Sequence, residues 1–288
     1  MRRRQSHAVT RSGRLIPAVA RAFILAVAAT SAFIFAPGKA FSAIAPASAV
    51  SPRLHLAGDS TLATKERATP NPEYGWGELL PRYFRDPAVV VNHAVNGRST
   101  KSFLDEGRWQ KLVSLLAPGD WVIIQFGHND AKREDSARYT EPLGAFAANL
   151  RRFIADVRER GAHPVLATSV ARRKWAEDGT HLIDTHGDYV PVVRDVAARA
   201  GVPLLELNAL TTALEEAHGI EGSKRLHLWI DPGLYARKTE GWRDNTHYSH
   251  YGADRVAALA VQEIIRLQLP LADWLASSSP SPPPSAEK

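Results

Sequence analysis

The chain has 288 residues, no cysteine and a formal charge of +6, from 36 Lys and Arg against 30 Asp and Glu. Without cysteine there is no disulfide framework, no thiol nucleophile and no Cys-based zinc site. The positive balance does not point to nucleic acid, because seven basic residues and no acids lie in the first 49 positions, leaving 29 basic against 30 acidic residues beyond them.

Residues 1–49 read as a cleaved signal peptide. Arg2, Arg3, Arg4, Arg11, Arg14 and Arg21 form a basic leader, 23–35 is a short apolar stretch, and Ala47-Ser48-Ala49 is a small-residue cleavage site. Pro37, Gly38 and Lys39 break the apolar run short of the ~20 residues a membrane-spanning helix needs. The expected product is secreted or periplasmic and free of the membrane after cleavage; the twin Arg pairs do not decide between the general and the twin-arginine export route. A catalytic domain is expected over 50–276. The Ser/Pro-rich segment 277–288, SSSPSPPPSAEK, has the composition of a disordered tail.

Between these ends, short β-rich apolar runs alternate with longer segments of helical period. A strand over 54–57 runs into Gly58-Asp59-Ser60-Thr61, which puts the Ser60 hydroxyl at a strand's carboxyl end beside N–H groups able to face an oxyanion. Turn chemistry alone would explain the same tetrapeptide. A helix over 76–84 and a strand over 89–92 follow, and the strand leads to Asn96-Gly97-Arg98, where glycine lets the backbone approach a ligand. After a helix over 109–116, the apolar strand 121–126 ends in Gly127-His128-Asn129-Asp130. The Asn129 amide can donate to the same oxyanion or cap the next segment.

A helix over 142–159, a strand over 164–168, the basic run Arg172-Arg173-Lys174-Trp175, a helix over 190–200, a strand over 203–207 and a helix over 211–217 come next. Asp244-Asn245-Thr246-His247 precedes a closing helix over 251–267. A carboxylate three residues before a histidine on one tight turn can hold one imidazole nitrogen, leaving the other to take a serine's proton. Asp244, His247 and His250 are also spaced as metal ligands, which would leave Ser60 without a role. Strands joined by right-handed helical crossovers give an α/β fold, a three-layer α/β/α sandwich. Ligands bind such a sheet beyond the carboxyl ends of its strands.

Ser60, Gly97, Asn129 and His247, in that order, resemble the four named residues of the SGNH (GDSL-like) hydrolase superfamily. The resemblance implies a flavodoxin-like sandwich with a five-stranded parallel sheet and a catalytic triad of Ser60, Asp244 and His247. It further implies an oxyanion hole from the N–H groups of Ser60 and Gly97 and the amide of Asn129, with no cofactor and no metal. The stretches GDSTLA, NPEYGWGELLP, NHAVNGRSTKSFLDEGRW, PGDWVIIQFGHNDAKREDSARYT and DNTHYSHYGA resemble the rhamnogalacturonan acetylesterases, whereas 234–239 departs from their pattern. That likeness implies an esterase acting on an acetylated acidic polysaccharide, pectin's rhamnogalacturonan; the protein is expected to be a monomer and, from its charge balance, to have no nucleic-acid partner. Arg98, Arg172 and Arg173 would then pair with galacturonate carboxylates, unless the basic run is a solvated loop. An acetylxylan or short-chain acyl esterase would keep every catalytic residue, and a non-catalytic carbohydrate-binding protein would need none of them.

Overall fold

A computed structural model of the chain describes residues 51–236 and 238–277. The segment 1–49 expected to be a signal peptide, and all but the first residue of the Ser/Pro segment 277–288, lie outside the described residues. β1 (Leu54–Gly58) is buried along its whole length and pairs in parallel with β2 (Val90–Asn92) on one side and β3 (Trp121–Gln125) on the other. β4 (His163–Ala167) and β5 (Leu204–Leu205) extend the sheet in the same sense, for the order β2-β1-β3-β4-β5. This is the flavodoxin-like order, and the strand sequence reverses between β1 and β3, where the crevice opens.

Because successive strand residues face opposite sides, the sheet feeds two cores. Leu54, Leu56, Ile123 and Val165 pack toward α1 (Trp76–Leu79) and α7 (His250–Arg266). Ala57, Val122, Ile124 and Leu166 pack toward α2 (Thr100–Asp105), α3 (Arg108–Leu115), α4 (Ala147–Glu159) and α5 (Tyr189–Ala200). Those are the three layers anticipated from the alternation. α6 (Leu207–Gly222) lies beside α7.

Four local differences from expectation have physical causes. The helix anticipated over 76–84 becomes 3-10 over Leu80–Tyr83, where Pro81 supplies no N–H to continue an α-helix. α2 was not anticipated; it is capped by Ser99, whose side chain accepts from the Ser102 N–H while Ser102 Oγ accepts from the Ser99 N–H. β5 keeps only two residues because α6 begins at Leu207 rather than at 211. The segment before α7 is strand, not turn: β7 (Trp242–Tyr248) pairs antiparallel with β6 (His227–Ile230) in a separate two-stranded sheet.

Candidate active site

Ser60 sits where β1 ends, on a turn fixed from below. Asp59 is fully buried, and its Oδ1 accepts from the Thr61 N–H at 2.9 Å and from Thr61 Oγ1 at 2.8 Å. Thr61 Oγ1 in turn accepts from Gln125 Nε2, and Gln125 Oε1 accepts from Trp76 Nε1, both at 2.8 Å. This buried chain ties the serine turn to the end of β3 and to α1, and satisfies a glutamine inside an otherwise apolar strand.

Asp244 and His247 reach the serine through a bulge in β7. Leu228 pairs with Asp244 and the preceding His227 with Tyr248, so residues 245–247 loop out of the ladder. Asp244 Oδ1 accepts from the backbone N–H of Thr246 at 2.7 Å and of His247 at 2.9 Å, while Oδ2 lies 2.7 Å from His247 Nδ1. His247 Nε2 lies 2.9 Å from Ser60 Oγ. Burial pushes Asp244 up, yet the His247 ring and the two N–H donors outweigh it and hold the carboxyl at about 2. For His247 burial acts downward, and the Asp244 hydrogen bond with the Glu73 and Asp244 charges leaves the ring above its usual range.

Gly97 has φ +74°, a left-handed conformation that glycine accepts without strain. Among the described residues no protein acceptor takes the N–H of Ser60 or of Gly97. Asn129 is 4% exposed; Nδ2 donates to the Arg98 carbonyl at 3.1 Å and Oδ1 accepts from Arg138 Nη1 at 3.4 Å. Its orientation leaves a second amide N–H unused. Asp130 next to it ties the two loops together, accepting from Thr100 N at 3.0 Å and Thr100 Oγ1 at 2.6 Å.

Of the three arginines expected to face substrate, Arg98 pairs with Glu106 at 3.1 Å and donates to the Asn96 carbonyl. Arg172 is half-buried and donates to Thr185 and to the His128 carbonyl. Arg173 is turned inward and 5% exposed, bonded to Ser223 Oγ, the Ile220 carbonyl and Asn245 Oδ1, where it braces the bulge that carries the histidine. Beside that bulge opens a cleft of about 560 Å³, lined by Arg172, Lys174, Trp175, Lys224, Trp229 and Asn245 among others.

His250 does not join Asp244 and His247. It begins α7 and stacks edge-on against Tyr74 at 4.8 Å. Among the described residues no three His, Asp or Glu side chains converge as a metal-binding group, so the donor set for the metal reading is not assembled. Three residues that sequence reasoning passed over do lie at the site: Lys65 and Glu73 behind Ser60, and His128, whose Nδ1 is 3.3 Å from Asp59 Oδ2.

A serine turn at the carboxyl edge of a five-stranded parallel sheet, facing a His-Asp pair, is the arrangement of a serine hydrolase. The chain belongs to the GDSL-like lipase/acylhydrolase family, whose model matches residues 56–255. It is 41% identical over 227 residues to the rhamnogalacturonan acetylesterase RhgT of Bacillus subtilis, covering 78% of this chain and 94% of that protein. Identity to the probable rhamnogalacturonan acetylesterase YesY of the same organism is 36%, over 76% of this chain and 95% of the relative. The solved Bacillus subtilis protein YxiM superposes with a TM-score of 0.64 at 26% identity, over 77% of this chain and 58% of that structure. No helix of the described residues is long and apolar enough to cross a membrane.

Proposed function

We propose that the protein is an exported carbohydrate esterase that removes acetyl groups from rhamnogalacturonan through an acyl-enzyme on Ser60. The observation that carries this reading is the relay of 2.9 Å from Ser60 Oγ to His247 Nε2 and 2.7 Å from His247 Nδ1 to Asp244 Oδ2. Ser60 Oγ attacks the acetyl carbonyl carbon while His247 takes its proton, and Asp244 holds the tautomer and stabilises the imidazolium. The carbonyl oxygen, now an anion, is received by the N–H groups of Ser60 and Gly97 and by the free Asn129 N–H. His247 then gives the proton to the departing sugar hydroxyl. Water repeats the cycle on the acetyl-enzyme, releasing acetate and restoring Ser60. No step calls for a cofactor.

The substrate rests on the two Bacillus relatives and on the cationic cleft beside the bulge. Among the cations of the cleft, Lys174 has no partner in the described ion pairs, and Arg172 has no carboxylate partner although its guanidinium donates to Thr185 and the His128 carbonyl; these two are offered to a uronate, with Arg98 once it leaves Glu106. Arg173 also lines this cleft, with its guanidinium engaged by Ser223, Ile220 and Asn245. Export rests on the basic, apolar and small-residue segments of 1–49.

The test is acetate release by the purified mature enzyme from acetylated rhamnogalacturonan and, in parallel, acetylated xylan. Preferential release from rhamnogalacturonan is expected. Equal release from both would keep the mechanism and discard the pectin assignment.

A further inference from the structure

We propose that Lys65 is a positioning residue of the esterase, its ammonium locking the nucleophile turn to the Gly97 loop, with Glu73 as a carboxylate shared between Lys65 and His247. The proposal rests on Ser60 being the nucleophile.

Lysine is almost never fully buried unless it is paired, and Lys65 is 4% exposed. Its ammonium reaches three oxygens from three different segments, the first two by hydrogen bonds and the third as an ion pair. One is the backbone carbonyl of Ser60 itself, one is Asn96 Oδ1 at 2.8 Å, immediately before Gly97, and one is Glu73 Oε1 at 2.6 Å. A single ammonium therefore touches the nucleophile residue and the neighbour of a candidate oxyanion donor. The segment carrying Glu73 is pinned in its turn: the Tyr74 N–H donates to the Tyr248 carbonyl and the Trp76 N–H to the Thr61 carbonyl, both at 2.9 Å. That places Glu73 Oε1 4.0 Å from His247 Nε2, on the side where Ser60 Oγ sits.

A buried ion pair is weak grounds for stability, since well-packed apolar residues do as well or better in its place. Location is the stronger guide. Hydrogen-bond donors for an oxyanion work only when held at fixed positions before the charge develops. The loops carrying Ser60 and Gly97 are joined near their bases, where the Val95 N–H donates to the Gly58 carbonyl at 3.1 Å and Asn92 Nδ2 to the Leu62 carbonyl at 2.9 Å. Lys65 adds the link at the level of Ser60 itself and of Asn96, next to Gly97. An unbalanced ammonium would make His247 a poorer base, and the Glu73 charge offsets it. The charged and titratable groups facing His247 are Asp244 from β7, Glu73 from the segment before α1, Lys65 from the loop after β1 and His128 from the loop after β3.

The experiment compares full-length mature enzyme with Lys65→Met, Glu73→Gln and the double variant on 4-nitrophenyl acetate, with Ser60→Ala as a separate control. Lys65→Met is expected to lose about 100-fold in kcat with KM nearly unchanged, the effect of a displacement of roughly 1 Å among reacting groups. Glu73→Gln should shift the acid limb of the kcat/KM profile to lower pH, because the charge that supports the imidazolium is gone. The double variant leaves no unpaired buried charge, so it folds even where Lys65→Met does not, and it should stay as slow as the single Lys65 variant. Wild-type kcat in the double variant would reduce the pair to a structural ion pair and overturn the proposal, as would an acid limb unmoved by Glu73→Gln. Activity surviving in Ser60→Ala would instead strike at the serine mechanism.

Discussion

Replacing Asp244 by asparagine changes one atom and is expected to invert the proton relay. Asp244 Oδ1 accepts two backbone N–H groups, from Thr246 at 2.7 Å and His247 at 2.9 Å. An asparagine must keep its carbonyl oxygen there, because turning the NH2 toward two donors would leave both unsatisfied at ~1–3 kcal/mol each. The NH2 then faces His247 Nδ1, where the carboxylate oxygen lay at 2.7 Å. Nδ1 must become the acceptor, Nε2 carries the proton, and the ring can no longer receive one from Ser60. The comparable change in a serine protease lowers kcat about 10⁴-fold, near 5.5 kcal/mol at 1.36 kcal/mol per tenfold. Stability changes less. Asp244 at about 2, against an ordinary 3.8, contributes roughly 2 kcal/mol that is present above the ordinary value and lost as pH falls through the folded one. At neutral pH the variant should therefore melt about 4–8 °C lower, still folded. Steady-state hydrolysis of 4-nitrophenyl acetate with circular dichroism measures both quantities. A folded variant slowed less than tenfold would refute the tautomer argument.

Asn129→Ala should remain folded and lose ~10²-fold to 10³-fold in kcat; a wild-type rate would remove Asn129 from the oxyanion hole. Since His247 must be neutral and lies above its ordinary 6.5, kcat/KM is expected to fall with decreasing pH along a limb centred above that value. A flat profile from pH 5 to 8 would contradict it. The same elevation adds stability that is fully present below 6.5 and lost as pH rises through the folded value. Gly252→Ala should destabilise by about 3 kcal/mol or more, because its Cβ would lie 1.9 Å from the Leu226 carbonyl oxygen, backbone that cannot swing away. An unchanged melting temperature would mean that α7 shifts freely against the segment leading into β6.

The sheet was readable in the sequence because β1 and β3 are buried on both faces and so appear as continuous apolar runs bounded by turn residues. Ser60, Gly97 and Asn129 were readable for the same reason: each follows a strand that the runs located. β7 was hidden. Its residues WRDNTHY show no apolar alternation, since a two-stranded ribbon with a bulge is held by backbone pairing and has little face to bury. α2 is too short for a periodic signal, and only its Ser99 and Ser102 cap announced it. Lys65 and Glu73 are a buried lysine and a half-buried glutamate, paired but written in letters that normally mark a surface. In Arg172-Arg173-Lys174 the sequence shows one basic run, whereas the backbone exposes Lys174 and buries Arg173.

Covalent trapping asks whether Ser60 is the nucleophile. The mature enzyme is treated with a fluorophosphonate ester, assayed for residual activity and digested for peptide mass spectrometry. One adduct per chain on Ser60, formed in proportion to the loss of activity and absent from Ser60→Ala, is the expected result. Full inactivation with the label on another residue, or an unlabelled Ser60 in an enzyme that has lost its activity, would contradict a nucleophilic role for this serine.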